Sequence, residues 1–204
     1  MSKVISDMSM SLDGFIAGPN DSVERTLGDG GERLHEWMYD LASWRERHGL
    51  EGGKTDADAE ILDESFKNTG AVVVGRRMFD VANGWEDNPP FHMPVFVVTH
   101  DAREELVKQG GTTFTFVTDS IDSALEPAKA VAGDKDVLVA GGANIIQQCI
   151  KAKRIDEIQI HLVPVLLGGG IRLFDQLGTE QVELEQSREI ESPGVTHLRF
   201  HVIK

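Results

Sequence analysis

The sequence predicts a three-layer α/β/α protein with a mainly parallel central sheet and an antiparallel hairpin at the C-terminal edge. Three observations carry this. Short β-branched runs such as Ala71-Val-Val-Val74, Pro94-Val-Phe-Val-Val98 and Val137-Leu-Val-Ala140 alternate with helix-like patterns through the middle of the chain. That alternation demands crossover connections, and therefore parallel strands covered by helices on both faces. The end of the chain instead holds two strand-like segments, about 181–190 and 195–203, separated only by the turn Ser192-Pro193-Gly194. Finally, 204 residues, 40% of them hydrophobic and free of repeats or linkers, suit a single domain over 1–204.

The elements follow in order. Residues 3–10 alternate weakly as a first strand and run into the loop Ser11-Leu-Asp13-Gly14-Phe-Ile16-Ala17-Gly18-Pro19-Asn20. Residues 21–31 are polar and glycine-rich. Leu34, Trp37, Met38, Leu41 and Trp44 recur at helical spacing, which predicts one helix over 32–48 whose stripe packs into the core. Gly49-Leu-Glu-Gly-Gly-Lys-Thr55 falls short of a P-loop: no strand precedes it, its first glycine is one residue too close, and Glu51 would face the phosphate. It reads as a flexible loop before a second helix over about 56–69.

Strands follow at 71–74, 94–98 and 113–117, the first turning into a helix at Gly75-Arg76-Arg77 and the second stopping at Thr99-His100. Ser120 caps a helix over about 121–132. The run Val137-Leu-Val-Ala-Gly141-Gly142-Ala143-Asn144-Ile145 is a strand, a glycine pair and a helix start. There, backbone N–H groups at a helix N-terminus can approach an anion with no Cβ in the way. A strand–Gly–helix junction is also common as plain structure. Glu157-Ile-Gln-Ile-His-Leu-Val163 supplies one more strand before the late hairpin.

A formal charge of -14 argues against nucleic acid and anionic membrane as main partners, since both need a positive field. It leaves room for a phosphorylated small molecule held by one or two arginines. The single Cys149 sits in an apolar helical pattern and is expected to be a buried, inert thiol. With no long apolar run at the N-terminus and no stretch long enough to span a bilayer, a cytoplasmic protein is expected. His197 and His201 flank Arg199 on one face of the final strand and are expected to be solvated. No ligand set for a metal is recognised.

In a doubly wound sheet, Gly75-Arg76-Arg77, Thr99-His100 and Gly141-Gly142 share the carboxyl edge, where ligands bind. Two arginines, a hydroxyl beside an imidazole and a glycine pair at a helix start can hold a ligand with several phosphates. Together with Ser11-Leu-Asp13-Gly14-Phe-Ile-Ala17 and Ile155-Asp-Glu-Ile-Gln-Ile-His-Leu-Val-Pro164-Val-Leu-Leu-Gly168, this ordered set resembles the dihydrofolate reductase fold. Within that fold it is most similar to the reductase domain of bacterial riboflavin biosynthesis (the RibD C-terminal domain) and its stand-alone relatives. The resemblance covers nearly the whole chain.

What the resemblance implies is an oxidoreductase that binds NADPH across the carboxyl edge and passes a hydride to a C=N or C=O bond of a small pyrimidine or pterin. Arg76 would meet the 2′-phosphate and Arg77 the diphosphate, from the helix start that follows Gly75. Thr99 and His100 would lie on the ribose side, Gly141, Gly142, Ala143, Asn144 and Ile145 would present backbone to the diphosphate, and Ile16 and Ala17 would flank the nicotinamide. The resemblance also implies a cis Gly141–Gly142 peptide. Asp13 is the candidate for proton delivery or substrate orientation, although Asp-Gly is equally an ordinary turn. Residues 21–69 depart from the folate reductases, and Asn144 stands where many of them carry a second phosphate-binding arginine. A dinucleotide-binding sensor without turnover is the alternative. Apolar Val163-Pro164-Val-Leu-Leu167 and the edge hairpin predict a homodimer, unless residues 32–48 cover that edge.

Overall fold

The computed structural model describes residues 2–204. Its first strand, β1 (Val4–Ser11), lies inside a nine-stranded sheet. The others are β3 (Thr69–Gly75), β4 (Pro94–Val98), β5 (Leu106–Val107), β6 (Thr113–Val117), β7 (Asp136–Gly141), β8 (Glu157–Val163), β10 (Leu184–Ser192) and β11 (Val195–Val202). The spatial order is β10-β11-β8-β1-β7-β3-β4-β6-β5. The six strands from β8 to β6 pair in parallel, while β11 joins β8 and β10 joins β11 antiparallel, so the expected edge hairpin is present.

Strand β3 shows why the sheet must be covered twice. Ala71 and Val73 point into one core with Ala124, Leu125 and Ala128 of α5 (Ile121–Ala132) and Ile145, Ile146 and Cys149 of α6 (Ala143–Lys151). Val72 and Val74 point the other way, onto Phe79 of α4 (Arg76–Val81), with Phe114, Trp85 and Phe91 closing the layer. A strand buried on both faces reads as a continuous apolar run, which is what Ala71–Val74 is. Ser120 caps α5 by accepting from the Ser123 N–H, and Asp56 caps α3 (Ala57–Asn68) by accepting from that of Ala59. Burial pushes the Cys149 thiol up to about 12, as suits an inert group. Among the described residues no helix is long and apolar enough to cross a membrane.

The single helix expected over 32–48 is a correction. The segment breaks into a 3₁₀ turn at Gly31–Leu34, α1 (Glu36–Tyr39) and α2 (Ala42–Arg47). Leu34 packs on Val163 and Val195, whereas Leu41 packs on Ala59 and Leu62 of α3. The chain bends so that both are buried, and Lys54 pins the bend: Ala42 N–H donates to its carbonyl, and its own N–H donates to that of Asp40. Three strands were too short to leave a pattern. They are β5 and the antiparallel pair β2 (Phe15–Ala17) and β9 (Ile171–Arg172), which ties the first loop to the segment after β8. Residues 34–37 also cover Val163, so the apolar run assigned to a dimer is partly used within the chain, leaving Leu166 exposed.

Candidate functional site

The carboxyl ends of β3, β4 and β7 open into one cleft of about 950 Å³. Gly75, Arg76, Arg77, Thr99, His100, Gly142, Ala143, Asn144, Ile145, Ile16 and Ala17 all line it, so the fold brings eleven of the thirteen anticipated residues together. The Gly141–Gly142 peptide is cis. No side chain caps α6, and a Cβ built on Gly142 would meet nothing within 4 Å, so the backbone at this helix start faces open space. Gly75 is needed for a different reason: a Cβ there would stand 2.8 Å from Ile145 Cγ1, pushing α6 off the strand end.

Three details refine the expected cradle. Gly141 does not line the cleft; its φ of 121° turns it inward, and a Cβ would come 3.3 Å from Met78 Sδ. The Ile145 N–H is taken by the Gly142 carbonyl, so its part is to pack under Gly75. Both arginines are held by carboxylates. Arg76 Nε reaches both oxygens of Asp80 at 2.8 Å and its Nη1 donates to Asp101 and to Thr99 Oγ1. Arg77 makes a two-pronged pair with Asp21, just past the first loop, at 2.6 and 3.0 Å. An anion entering here exchanges with carboxylates that keep the guanidinium groups pre-aimed.

Asp13 lies outside the cleft lining. Its carboxylate accepts from Ser11 Oγ at 2.6 Å and from the Leu167 and Gly168 N–H groups at 3.1 and 2.8 Å. The Ser11 hydrogen bond, followed by those backbone donors, holds the carboxyl below the usual range. Outside the cleft lining and tied to the segment after β8, Asp13 anchors the loop, so of its two roles the geometry supports the turn.

The far side of the cleft escaped sequence reasoning. It is walled by Trp37, Met38, Leu62 and Phe66, with Asp7 and His161 at its base. His197 corrects its expected solvated position: only 4% exposed, it packs against Trp37 with ring centroids 5.0 Å apart. His201 is exposed, as expected, 3.2 Å from Glu157. The signal available was Asp7, a carboxylate in mid-strand, facing a histidine in a strand that is otherwise buried.

A parallel sheet opening at its carboxyl edge, with a glycine-started helix and a tied-down first loop, defines a dihydrofolate reductase-like fold. Within that class the RibD C-terminal domain model matches residues 2–195, and the chain belongs to that family. It is 23% identical over 207 aligned positions to the uncharacterized protein YyaP of Bacillus subtilis (strain 168), covering 98% of this chain and 94% of that one. Among solved structures, a protein assigned to riboflavin biosynthesis from Shewanella sp. PV-4 superposes with a TM-score of 0.70 at 22% identity, over 99% of each chain. A dihydrofolate reductase of Enterococcus faecalis, complexed with NADP(H), gives 0.56 at 10% identity over 99% and 97%.

Proposed function

We propose that this protein is an NADPH-dependent reductase that transfers a hydride to a C=N or C=O bond of a small pyrimidine or pterin-type heterocycle, akin to 5-amino-6-(5-phosphoribosylamino)uracil reductase. One observation carries the reading: the uncapped start of α6 and the paired Arg76 and Arg77 face the same cleft as an apolar, aromatic wall. The first half suits a chain of phosphates, and the second suits a flat ring. Family membership and the NADP(H) held by the E. faecalis relative support the cofactor.

In this reading Gly142, Ala143 and Asn144 offer backbone to the diphosphate, Arg76 takes the 2′-phosphate, and Thr99 and His100 stand beside the ribose. When bound, NADPH supplies the hydride. The protein's part is to align the two rings and exclude water from between them. The far wall carries a single arginine, Arg47, whose Nη1 donates to the carbonyls of Pro90 and Phe91 while its guanidinium lies 3.8 Å from the Phe66 ring centroid. A substrate with little or no negative charge suits that wall.

Calorimetric titration tests the reading. NADPH is expected to bind more tightly than NADH by roughly 1–3 kcal/mol, the scale of charge-assisted hydrogen bonds, and Arg76→Ala should abolish most of the difference. Equal affinities in the wild type would remove Arg76 from the site, and absence of nicotinamide binding would remove the reading.

A further inference from the structure

Three buried contacts join four ionisable side chains from four elements. Asp7 Oδ1 lies 2.7 Å from His161 Nε2, His161 Nδ1 lies 2.6 Å from His197 Nδ1, and His197 Nε2 lies 3.0 Å from Asp58 Oδ1. Trp37 covers both rings, 4.6 and 5.0 Å from their centroids. A hydrogen bond needs one proton, an ionised carboxylate brings none, and a neutral imidazole brings one. Three contacts therefore need three protons, while two neutral rings bring two. Without the third, either the two Nδ1 lone pairs would face each other or one Nε2 lone pair would face a carboxylate, where water cannot separate them. The chain thus carries one extra, ionisable proton between two carboxylates.

Among the described residues, its surroundings place no other donor between the two rings. Asp7 Oδ2 accepts from Ser65 Oγ and Gln159 Nε2, and Gln159 Oε1 accepts from Arg199 Nε. Arg199 and Arg188 share Glu64, which offsets one of their two charges, and Arg199 reaches the chain only through Gln159. His35, pushed down to about 4 by burial, is neutral at pH 7. Burial and then the charge of His161 hold His197 below the ordinary histidine range. For Asp7, burial acts upward, but attraction to His161 and its hydrogen bond prevail and hold the carboxyl low. With each Nε2 donating to its carboxylate, the extra proton lies between the two Nδ1 atoms, 2.6 Å apart. Only the Asp7–His161 end of the chain lines the cleft; His197 and Asp58 lie behind it.

We propose that Asp7–His161–His197–Asp58 is the proton reserve of the cleft, delivering through Asp7 the proton that completes reduction of the substrate. The proposal rests on the reductase reading for its substrate, but its proton count stands apart from it. The carbon of the double bond gains the hydride. The released π pair becomes an N–H or O–H bond with the proton that leaves His161 Nε2 and crosses Asp7. The chain then regains one proton from water, and no further oxidant or reductant enters. Asp7 is the group that meets the substrate, and the histidines and Asp58 hold and replace its proton.

The test has two arms. In protein labelled with ¹⁵N-histidine and free of ligand, long-range ¹⁵N–¹H spectra at pH 7 should show both Nε2 atoms protonated and one proton shared by the two Nδ1 atoms. An unprotonated Nε2 on either ring, or no proton between the Nδ1 atoms, overturns the proposal. The second arm follows NADPH oxidation by 7,8-dihydropterin in single turnover from pH 6 to 9. His197→Gln can still donate to His161 Nδ1 but cannot hand on a proton. It should slow the hydride step by about 10²-fold, lose the alkaline fall in rate and keep the wild-type affinity for NADPH. Asp58→Asn keeps an acceptor on His197 and serves if that variant folds poorly; removing its negative charge should move the alkaline fall to lower pH. Wild-type rates and pH profile in both variants overturn the delivery role. If the wild type binds no NADPH or leaves the probe unreduced, the reductase reading fails, and the spectra alone decide the proton reserve.

Discussion

The two walls of the cleft are built in opposite ways. On one side the ligand-facing surface is backbone and strand-end side chains, each set by a short contiguous motif: Gly75-Arg76-Arg77, Thr99-His100, Gly142-Ala143-Asn144. On the other, Trp37, Asp7, His161, Leu62 and Phe66 arrive from separate elements and meet only in the folded chain. The first wall needs space and local geometry, so it is sensitive to added atoms. The second needs a closed polar network, so it is sensitive to removed partners and to protons.

The largest expected effect breaks the first wall. Gly75→Ala places a Cβ 2.8 Å from Ile145 Cγ1, so the side chain or α6 must shift to admit it. Overpacking of this kind costs about 1–3 kcal/mol, so NADPH affinity measured by calorimetry should fall about 5- to 150-fold as α6 shifts. Unchanged affinity would show that the helix start does not hold the cofactor.

Acid stability probes the second wall. Burial lowers His35 from 6.5 to about 4. The unfolded chain therefore binds a proton that the folded one refuses, and stability is full above pH 6.5 and declines as pH falls towards 4. Its slope should reach at most about 1.4 kcal/mol per pH unit. Denaturant melts of His35→Phe should show a shallower decline over the same window; an identical slope would assign the acid sensitivity elsewhere.

Asp13 belongs to neither wall, which sharpens the contrast. Asp13→Asn turns one acceptor oxygen into a donor facing an N–H group, so the melting temperature should fall while calorimetric NADPH affinity stays at the wild-type value. Loss of affinity would return Asp13 to the site. The smallest effect is expected from the hairpin. We propose a homodimer through the exposed Leu166 and the edge hairpin of β10 and β11. Leu166→Glu should then lower the fraction of dimer in sedimentation at micromolar concentration without touching cofactor binding, and a wild type of one chain's mass argues against the dimer.

What the sequence revealed follows the same division. Gly75, Arg76 and the glycine pair were legible because a strand end, a helix start and their side chains lie within a few residues, and periodicity locates all three. The break at Leu41 was not legible, because it answers to Val163, Ala59 and Lys54, which pull on the segment from distant parts of the chain. His197 was misjudged for a related reason. Alternation says that it shares a face with Arg199 and His201, but not that Trp37 and Asp58 will cover that face at one point and leave it open at another. Asp13 shows the limit in miniature: its place in the first loop suited two roles, and the two N–H groups that hold it belong to Leu167 and Gly168.

The parallel pairing of β1 with β8, and the antiparallel pairing of β8 with β11 beyond it, have a kinetic consequence. The first strand made must wait for one that follows about 150 positions later, and Asp7 finds its complete surroundings only when the last strand has emerged. Contacts so distant in sequence are slow to form, because a long loop must close before they reward it. While the ribosome still holds the C-terminus, the β8-facing edge of β1 is an open template for pairing with another chain. The yield of native protein should therefore depend on chain release and on concentration more than on the stability of the finished fold.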